Sequence, residues 1–218
     1  MKRTFKGIFV FVNLLFVSLP AFSQDSEKAK KLLDEVYKKA KGYKNIHIDF
    51  KYVLNNADVG INQETRGDVT LEGDKYLLNL MGAQQLYDGS RVYNIVPENE
   101  EVIIETQTEE ENMVTPSKML TFYRSGHRYE WDILQNVQGR NIQYVKLIPI
   151  DTGTEIKSIL LGVDVETKHI YKLVQTGKDG VSTTFTVNSF KTDQPLSKTL
   201  FTFDEAKYEA EGYDIIRE

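Results

Sequence analysis

Histidines and acidic runs are the side chains of this sequence that could do chemistry. His47 and Asp49 share one face of a predicted strand, where they could bind a metal ion or form a solvated pair. The solvated pair is the favoured interpretation, because that face of the strand is the polar one. His127 and His169 lack a second histidine at a spacing typical of metal ligands. We therefore predict no metal site.

The acidic residues cluster at 98–101 and at 109–111. A glycosidase needs two facing carboxyl groups, one of them desolvated, whereas acidic runs in loops are usually solvated surface. The sequence has no cysteine, no G-x-S-x-G nucleophile motif, no phosphate-binding loop and no dinucleotide-binding glycine pattern. These observations predict no catalytic residues, no cofactor and no enzymatic activity.

The first 23 residues have the composition of a secretory signal peptide. Three cations lie within the first six residues, and a stretch of about a dozen apolar residues follows, which is too short to span a bilayer. The small residues Ala21 and Ser23 then occupy the two positions that determine cleavage. We expect residues 1–23 to be removed after export and residues 24–218 to form a single domain.

The net charge limits the partners of the predicted mature chain. Removing the three N-terminal cations from 27 leaves 24 against 32 acidic residues, a net charge of −8. This acidic excess argues against nucleic acid and against anionic lipid surfaces as partners. Without cysteine, an exported protein must be stabilised by burial and hydrogen bonding instead of disulfides.

Hydrophobic periodicity predicts one long helix followed by a mainly antiparallel sheet. Residues 25–41 place apolar side chains at three- and four-residue steps, as an amphipathic helix does. From Ile46 the period changes to two, and frequent short turns give about ten or eleven strands, including 200–203. Pro116 would open a short apolar helix that extends to Tyr123. A sequential sheet of this size must curl, split or close, so we predict a strongly bent sheet around apolar helices.

Apolar side chains on the inner face of this sheet could fill a core or line a cavity. Ordinary core packing accounts for such residues in most proteins. The alternative is a helix over the concave side of the sheet, with a cavity between them that suits acyl chains. The predicted lining comprises Phe50, Tyr52, Val69, Leu71, Leu78, Leu80, Tyr93, Ile95, Met119, Leu120, Phe122, Tyr123 and Trp131. A one-residue error in register would exchange the two faces of a strand.

Several short motifs occur along the chain in an order shared with a known family. They are GYKNI at 42–46, GDVTL at 67–71, LYDGSRVY at 86–93, TPSKML at 115–120, LFTF at 200–203 and GYDII at 212–216. Each motif is weak alone, but the ordered set spans the predicted mature chain. In this order the sequence resembles the periplasmic outer-membrane lipoprotein carriers, the LolA-like family.

The resemblance implies an α+β fold that is mainly antiparallel β, a strongly curved incomplete β-barrel with α-helices forming a lid over a hydrophobic cavity. It implies a monomeric periplasmic carrier that receives acylated lipoproteins from an inner-membrane ABC release complex and passes them to an outer-membrane acceptor. The family's Arg-Pro pair, whose arginine helps to hold the lid shut, would fall near Glu72 and Gly73. Neither residue is present there, so Arg66 is the candidate latch.

Three other functions remain open from the sequence. The same fold could hold a free lipid or another amphiphile, or sense the state of the cell envelope. A secreted hydrolase would need a desolvated polar cluster inside the cavity, which the predicted lining does not supply. A structural interaction protein would have a filled core with no room for a ligand.

Overall fold

The computed structural model describes residues 21–106 and 116–218. The predicted signal peptide lies outside the described residues, apart from 21–23, which begin the first helix. The acidic run at 109–111 also lies outside them. The division of the chain into a signal peptide and one domain therefore stays a prediction.

The twelve strands of the described residues form one sheet. They are β1 (Ile46–Asn56), β2 (Ile61–Glu72), β3 (Lys75–Leu80), β4 (Ala83–Tyr87), β5 (Arg91–Val96), β6 (Glu101–Thr106), β7 (His127–Val137), β8 (Arg140–Pro149), β9 (Ile156–Asp164), β10 (Ile170–Gly177), β11 (Ser182–Thr192) and β12 (Asp214–Arg217). Their spatial order is β12-β6-β5-β4-β3-β2-β1-β11-β10-β9-β8-β7.

Two hairpin series, β1 to β6 and β7 to β11, join through the antiparallel pairing of β1 with β11. The short β12 adds to β6 in parallel. Within the described residues the outer strands β7 and β12 do not pair with each other, so the sheet is curved and open. The predicted incomplete, mainly antiparallel barrel is confirmed.

The first helix, α1 (Ala21–Lys41), is amphipathic as predicted, although it begins four residues before the predicted start at residue 25. Its buried stripe includes Ala29, Leu33 and Val36. These side chains pack on the inner face of β7 to β10, against residues such as Leu161. The last turn carries three lysines, whose positive charges interact favourably with the negative end of the helix dipole.

The segment that begins at Pro116 is not the α-helix predicted from its apolar residues. It forms two short 3-10 turns, Lys118–Leu120 and Phe122–Arg124. Thr121 lies between them with a φ of −135°, outside the helical range, so the first turn cannot continue into a helix. The prediction of an α-helix from Pro116 to Tyr123 is therefore wrong.

The outer face of β4 to β6 carries a second apolar layer. Leu86, Ile95 and Val102 are buried there beneath Phe201. The helix α2 (Glu205–Ala210) follows in the same covering segment. Residues 200–203 are therefore not a strand: they form a turn whose aromatic side chains pack on the sheet instead of extending it. As a result, the outer face of this part of the sheet is also covered.

Candidate ligand-binding cavity

An apolar cavity of about 230 Å³ lies between the inner face of the sheet and the turn that begins at Pro116. Its lining consists of Ile48, Phe50, Val69, Leu71, Leu78, Leu80, Gln85, Pro116, Met119, Leu120, Ile170, Leu173, Phe185 and Val187. Gln85 is the single polar side chain among these fourteen residues. The wall therefore offers a ligand dispersion and hydrophobic contact and almost no hydrogen bonding.

Strand alternation builds the floor of this cavity. Ile48 lies opposite Val69, and Phe50 lies opposite Gly67, in the antiparallel register of β1 and β2. Alternate residues of one strand share a face, so these side chains all point to the concave side. A Cβ on Gly67 would lie 2.8 Å from the Phe50 ring and 2.5 Å from the Asn79 carbonyl oxygen. The absent side chain therefore leaves room for the Phe50 ring against β2.

Gly67→Ala is expected to lower the free energy of unfolding by about 2 kcal/mol, because overpacking against a backbone carbonyl cannot be relieved by a rotamer change. Urea unfolding followed by circular dichroism measures the effect. Gly42→Ala is the control, since its nearest atom would be 3.3 Å away. Equal unfolding midpoints for the two variants would contradict this account of Phe50.

Seven of the thirteen predicted lining residues lie together on this cavity. They are Phe50, Val69, Leu71, Leu78, Leu80, Met119 and Leu120. Tyr52 lies outside the cavity lining, and its ring packs edge-on against Phe185 at a centroid distance of 4.9 Å. That these seven residues contact a lipid stays a prediction, which the proposal below takes up.

Tyr93 and Ile95 lie on the opposite face of the sheet from the cavity. Tyr93 stacks on Phe203 with ring centroids 4.4 Å apart, and its hydroxyl donates to Asp88 at 2.9 Å. Their placement in the predicted lining is a register error of one residue. It arises because both faces of β5 are covered, so apolar residues occupy neighbouring positions and the alternation does not identify the inner face.

Phe122, Tyr123 and Trp131 belong to the core beneath α1 and do not line the cavity. Tyr123 is completely buried, and Phe122 contacts its ring edge-on. Burial raises the pKa of Tyr123, so its hydroxyl stays neutral. Among the described residues, that hydroxyl has no hydrogen-bond partner. These three aromatic residues fill space, as the core-packing interpretation of the sequence required.

Tyr123→Phe is expected to raise the free energy of unfolding by about 1 kcal/mol, because it removes a buried hydroxyl that has no partner. Tyr129→Phe is the matched control, since the Tyr129 hydroxyl donates to the Tyr123 carbonyl at 2.8 Å. That variant should lose about 1 kcal/mol. Urea titrations of both variants measure the difference, and a destabilised Tyr123→Phe would show that the hydroxyl has a partner in solution.

A second cavity, of about 240 Å³, adjoins the first. Leu71 and Leu120 line both, so the Leu120 side chain lies at the partition between them. The second cavity is more polar, and Lys41, Lys44 and Asp74 are among its lining residues. An apolar chamber and a polar chamber therefore meet at Leu71 of β2 and at Leu120 of the Pro116 turn.

Arg66, the candidate latch, lies on the outer face of β2. It pairs with Lys51 in the β1–β2 register, and both residues alternate with the inward-facing Phe50 and Gly67. Its side chain is exposed. This position argues against a latch between Arg66 and the Pro116 turn, because the sheet itself separates them.

The histidines hold structural positions. His47 lies 3.5 Å from Asp49 and 2.8 Å from the Thr70 hydroxyl, as a partly exposed polar pair. His169 contacts the Tyr43 hydroxyl at 2.8 Å, and burial followed by the charge of Lys39 lowers its pKa. In the described ranges no three His, Asp or Glu side chains are grouped closely enough to hold a metal ion. No described helix has the length and apolar character of a membrane span.

Comparisons with known proteins give a family and similar folds. Residues 41–204 match the model of the family described as "Outer membrane lipoprotein carrier protein LolA". An uncharacterized conserved protein from Thermus thermophilus has a similar structure, with a TM-score of 0.59 and 11% identity over 88% of this chain and 99% of that one.

Two further solved structures are similar. LprF from Mycobacterium bovis has a TM-score of 0.51 and 12% identity, covering 79% of this chain and 96% of that one. A putative outer membrane lipoprotein-sorting protein domain from Vibrio parahaemolyticus has a TM-score of 0.47 and 13% identity, covering 81% and 97%. At 11% and 12% identity, the likenesses to the Thermus thermophilus protein and to LprF show the fold alone. No curated protein sequence matches this chain.

Proposed function

Because the chain belongs to the LolA family of outer membrane lipoprotein carrier proteins, we propose that it binds the acyl chains of lipoproteins in the cavity beneath the Pro116 turn. The observation that supports this proposal is the composition of the wall, in which Gln85 is the single polar side chain among fourteen. An exposed acyl chain costs roughly 0.8 kcal/mol per methylene in water. A dry, apolar wall offsets that cost without help from specific polar contacts.

The proposed role is that of a periplasmic carrier. It would receive acylated lipoproteins from the inner-membrane ABC release complex and pass them to an acceptor at the outer membrane. Energy for release would come from the ABC complex, so the carrier itself needs no catalytic residues. The sequence-based signal peptide and the net charge of the predicted mature chain are consistent with a protein that crosses the periplasm without binding anionic membranes.

Residues 116–121 cover part of the cavity, and we define them as the lid. The cavity of about 230 Å³ lies below the range of roughly 300–1,000 Å³ that is usual for ligand sites, so movement of the lid would enlarge it for a long ligand. Among the described residues, the backbone hydrogen bonds of the lid are local, from Leu120 to Ser117 at 3.3 Å and from Thr121 to Lys118 at 2.9 Å. No backbone hydrogen bond joins the lid to a described strand, so moving the lid leaves the ladders between the described strands intact.

The C-terminal end of the lid is anchored. The Arg124 guanidinium lies 3.8 Å from the centre of the Tyr37 ring on α1. The Tyr129 hydroxyl also donates to the Tyr123 carbonyl at 2.8 Å. The lid would therefore swing about residues 123–124, and apolar contacts of Met119 and Leu120 with the cavity wall, instead of an arginine latch, would hold it closed.

Photo-crosslinking in living cells of the source organism tests the proposal. A photoreactive residue at Leu78, on the wall, should yield adducts with acylated lipoproteins. The same residue at Met81, which is 61% exposed and lies outside the cavity, should yield none. The absence of lipoprotein adducts from Leu78, in a protein that is exported and folded, would contradict the carrier role.

The small cavity favours a second candidate, in which the protein holds a single-chain lipid or another amphiphile. A volume of about 230 Å³ is modest for a ligand with three long acyl chains unless the lid opens widely. Native mass spectrometry of protein purified from the source organism separates the two functions. A bound free lipid without any acylated protein would favour this second function.

A further inference from the structure

A row of four polar side chains crosses the inner face of the sheet and ends at the cavity wall. Tyr76, Gln85, Asn94 and Glu105 lie on the neighbouring strands β3, β4, β5 and β6. The Tyr76 hydroxyl donates to Gln85 Oε1 at 2.9 Å, and Gln85 Nε2 donates to Asn94 Oδ1 at 2.8 Å. Asn94 Nδ2 lies 3.3 Å from Glu105 Oε2. We call this series the polar row.

The chemistry of its two ends fixes the direction of the polar row. The ionised Glu105 carboxylate can only accept, so Asn94 must present its NH₂ to Glu105 and its oxygen to Gln85. Gln85 must then present its NH₂ to Asn94 and its oxygen to Tyr76. Burial raises the pKa of Tyr76 to about 12, which keeps its hydroxyl protonated as the donor. The Gln85 amide is therefore held in one orientation.

This orientation leaves Gln85 with unused hydrogen-bonding capacity. An amide NH₂ has two hydrogens, and one of them is used by Asn94. Among the described residues, the second N–H has no protein partner in the polar row or elsewhere. Gln85 is half-buried and lines the apolar cavity, whose other lining side chains offer no acceptor. A ligand that brings an acceptor to this point would satisfy the second N–H.

We propose that Gln85 binds the carbonyl oxygen of an acyl ester or amide and so fixes where the polar end of an acyl chain lies. This inference rests on the proposed binding of acyl chains. A neutral carbonyl accepts a hydrogen bond without bringing a charge into an apolar wall. A free carboxylate would bring that charge, and the Glu105 carboxylate two strands away would repel it. The site therefore favours acylated molecules over free fatty acids.

A matched pair of ligands tests this assignment. Palmitoylglycerol, an ester, and hexadecylglycerol, an ether, share chain and head and differ in the carbonyl. Their affinities for the full protein are measured by displacement of a fluorescent lipid. We expect the ester to bind about fivefold to tenfold more tightly, as one additional hydrogen bond provides. Palmitate should bind more weakly than the ester, because its charge has no partner in the wall.

Gln85→Leu should abolish the preference for the ester over the ether. Gln84→Leu is the matched control, because Gln84 is the preceding residue of β4 and faces the opposite side. It should keep the wild-type preference. The ratio of the ester and ether affinities of one variant does not depend on the fraction of that variant that is folded. Gln85→Glu keeps the size of the side chain and lacks the N–H, so it should also lose the preference for the ester.

The outcomes separate this inference from the function on which it rests. Equal binding of ester and ether by the wild type, or a preference that survives Gln85→Leu and Gln85→Glu, would overturn the role of Gln85 and leave the acyl-binding function standing. Failure of the wild type to bind either lipid would overturn both.

Discussion

Leu80→Arg is expected to weaken the binding of acyl ligands by at least about 100-fold while the protein stays folded. Leu80 is the last residue of β3 and lines the cavity, where it is half-buried. An arginine there would place a permanent charge against a wall that contains one polar side chain. A penalty of about 3 kcal/mol on the bound state corresponds to this loss, since each 1.36 kcal/mol is tenfold.

The position of Leu80 makes this change more informative than one deeper in the sheet. Phe50 is 6% exposed, so Phe50→Glu would also remove a core contact and could unfold the protein. At the end of β3, by contrast, an arginine side chain can extend towards solvent when no ligand is present. Loss of binding can then be separated from loss of folding.

Met81→Arg is the control for Leu80→Arg. Met81 is the next residue, and its side chain is 61% exposed, so the variant adds the same charge outside the cavity. Binding is measured by displacement of a fluorescent fatty ester, with circular dichroism on each variant. If Leu80→Arg binds as tightly as Met81→Arg, the cavity assigned here is not where acyl chains bind.

Most of the fold could be predicted from periodicity, because its elements have a clear inner and outer face. The β1 pattern from Ile46 to Leu54 has apolar residues at every second position, and α1 has apolar residues at three- and four-residue steps. Both elements were therefore placed correctly. β4 was missed, because Ala83–Tyr87 is short and begins with a small residue and two glutamines. Periodicity is weakest where a strand carries few apolar residues.

The candidate site was harder to predict, because it depends on which face is covered. On β5, the run Val92, Tyr93 and Ile95 is apolar on both sides, since α2 and Phe201 cover the outer face. That covering segment lies more than 100 residues further along the chain, so no local pattern reports it. Gln85 was missed for a related reason: it lies on the missed strand, and an isolated glutamine carries no periodic signal.

Leu120→Ala is expected to lengthen the acyl chain that the protein binds best. Leu120 lies at the partition between cavities of about 230 and 240 Å³. Truncating its side chain should join them and so lengthen the path open to a chain, which would continue into the more polar cavity. The free protein should lose about 2 kcal/mol of unfolding free energy, because a cavity replaces a half-buried leucine.

Affinity as a function of chain length measures this effect. Each methylene that enters a dry cavity contributes about 0.8 kcal/mol, so affinity should rise with length until the cavity is full and then stay constant. In the wild type, the chain length at which affinity stops rising is set by the cavity bounded by Leu120 and by how far the lid opens. In Leu120→Ala the limit should move to longer chains, with a gain of about tenfold for the longest ones.

Leu77→Ala is the matched control for Leu120→Ala. Leu77 is a half-buried leucine on the opposite face of β3, packed against the layer beneath Phe201. Its truncation should cost similar stability and leave the chain-length limit unchanged. If both variants keep the wild-type limit, Leu120 does not separate the two cavities when a ligand is bound. A shift of the chain-length limit in Leu120→Ala alone would mean that one side chain of the lid sets the length of acyl chain that fits. The sequence of the lid would then determine which ligands this sheet selects.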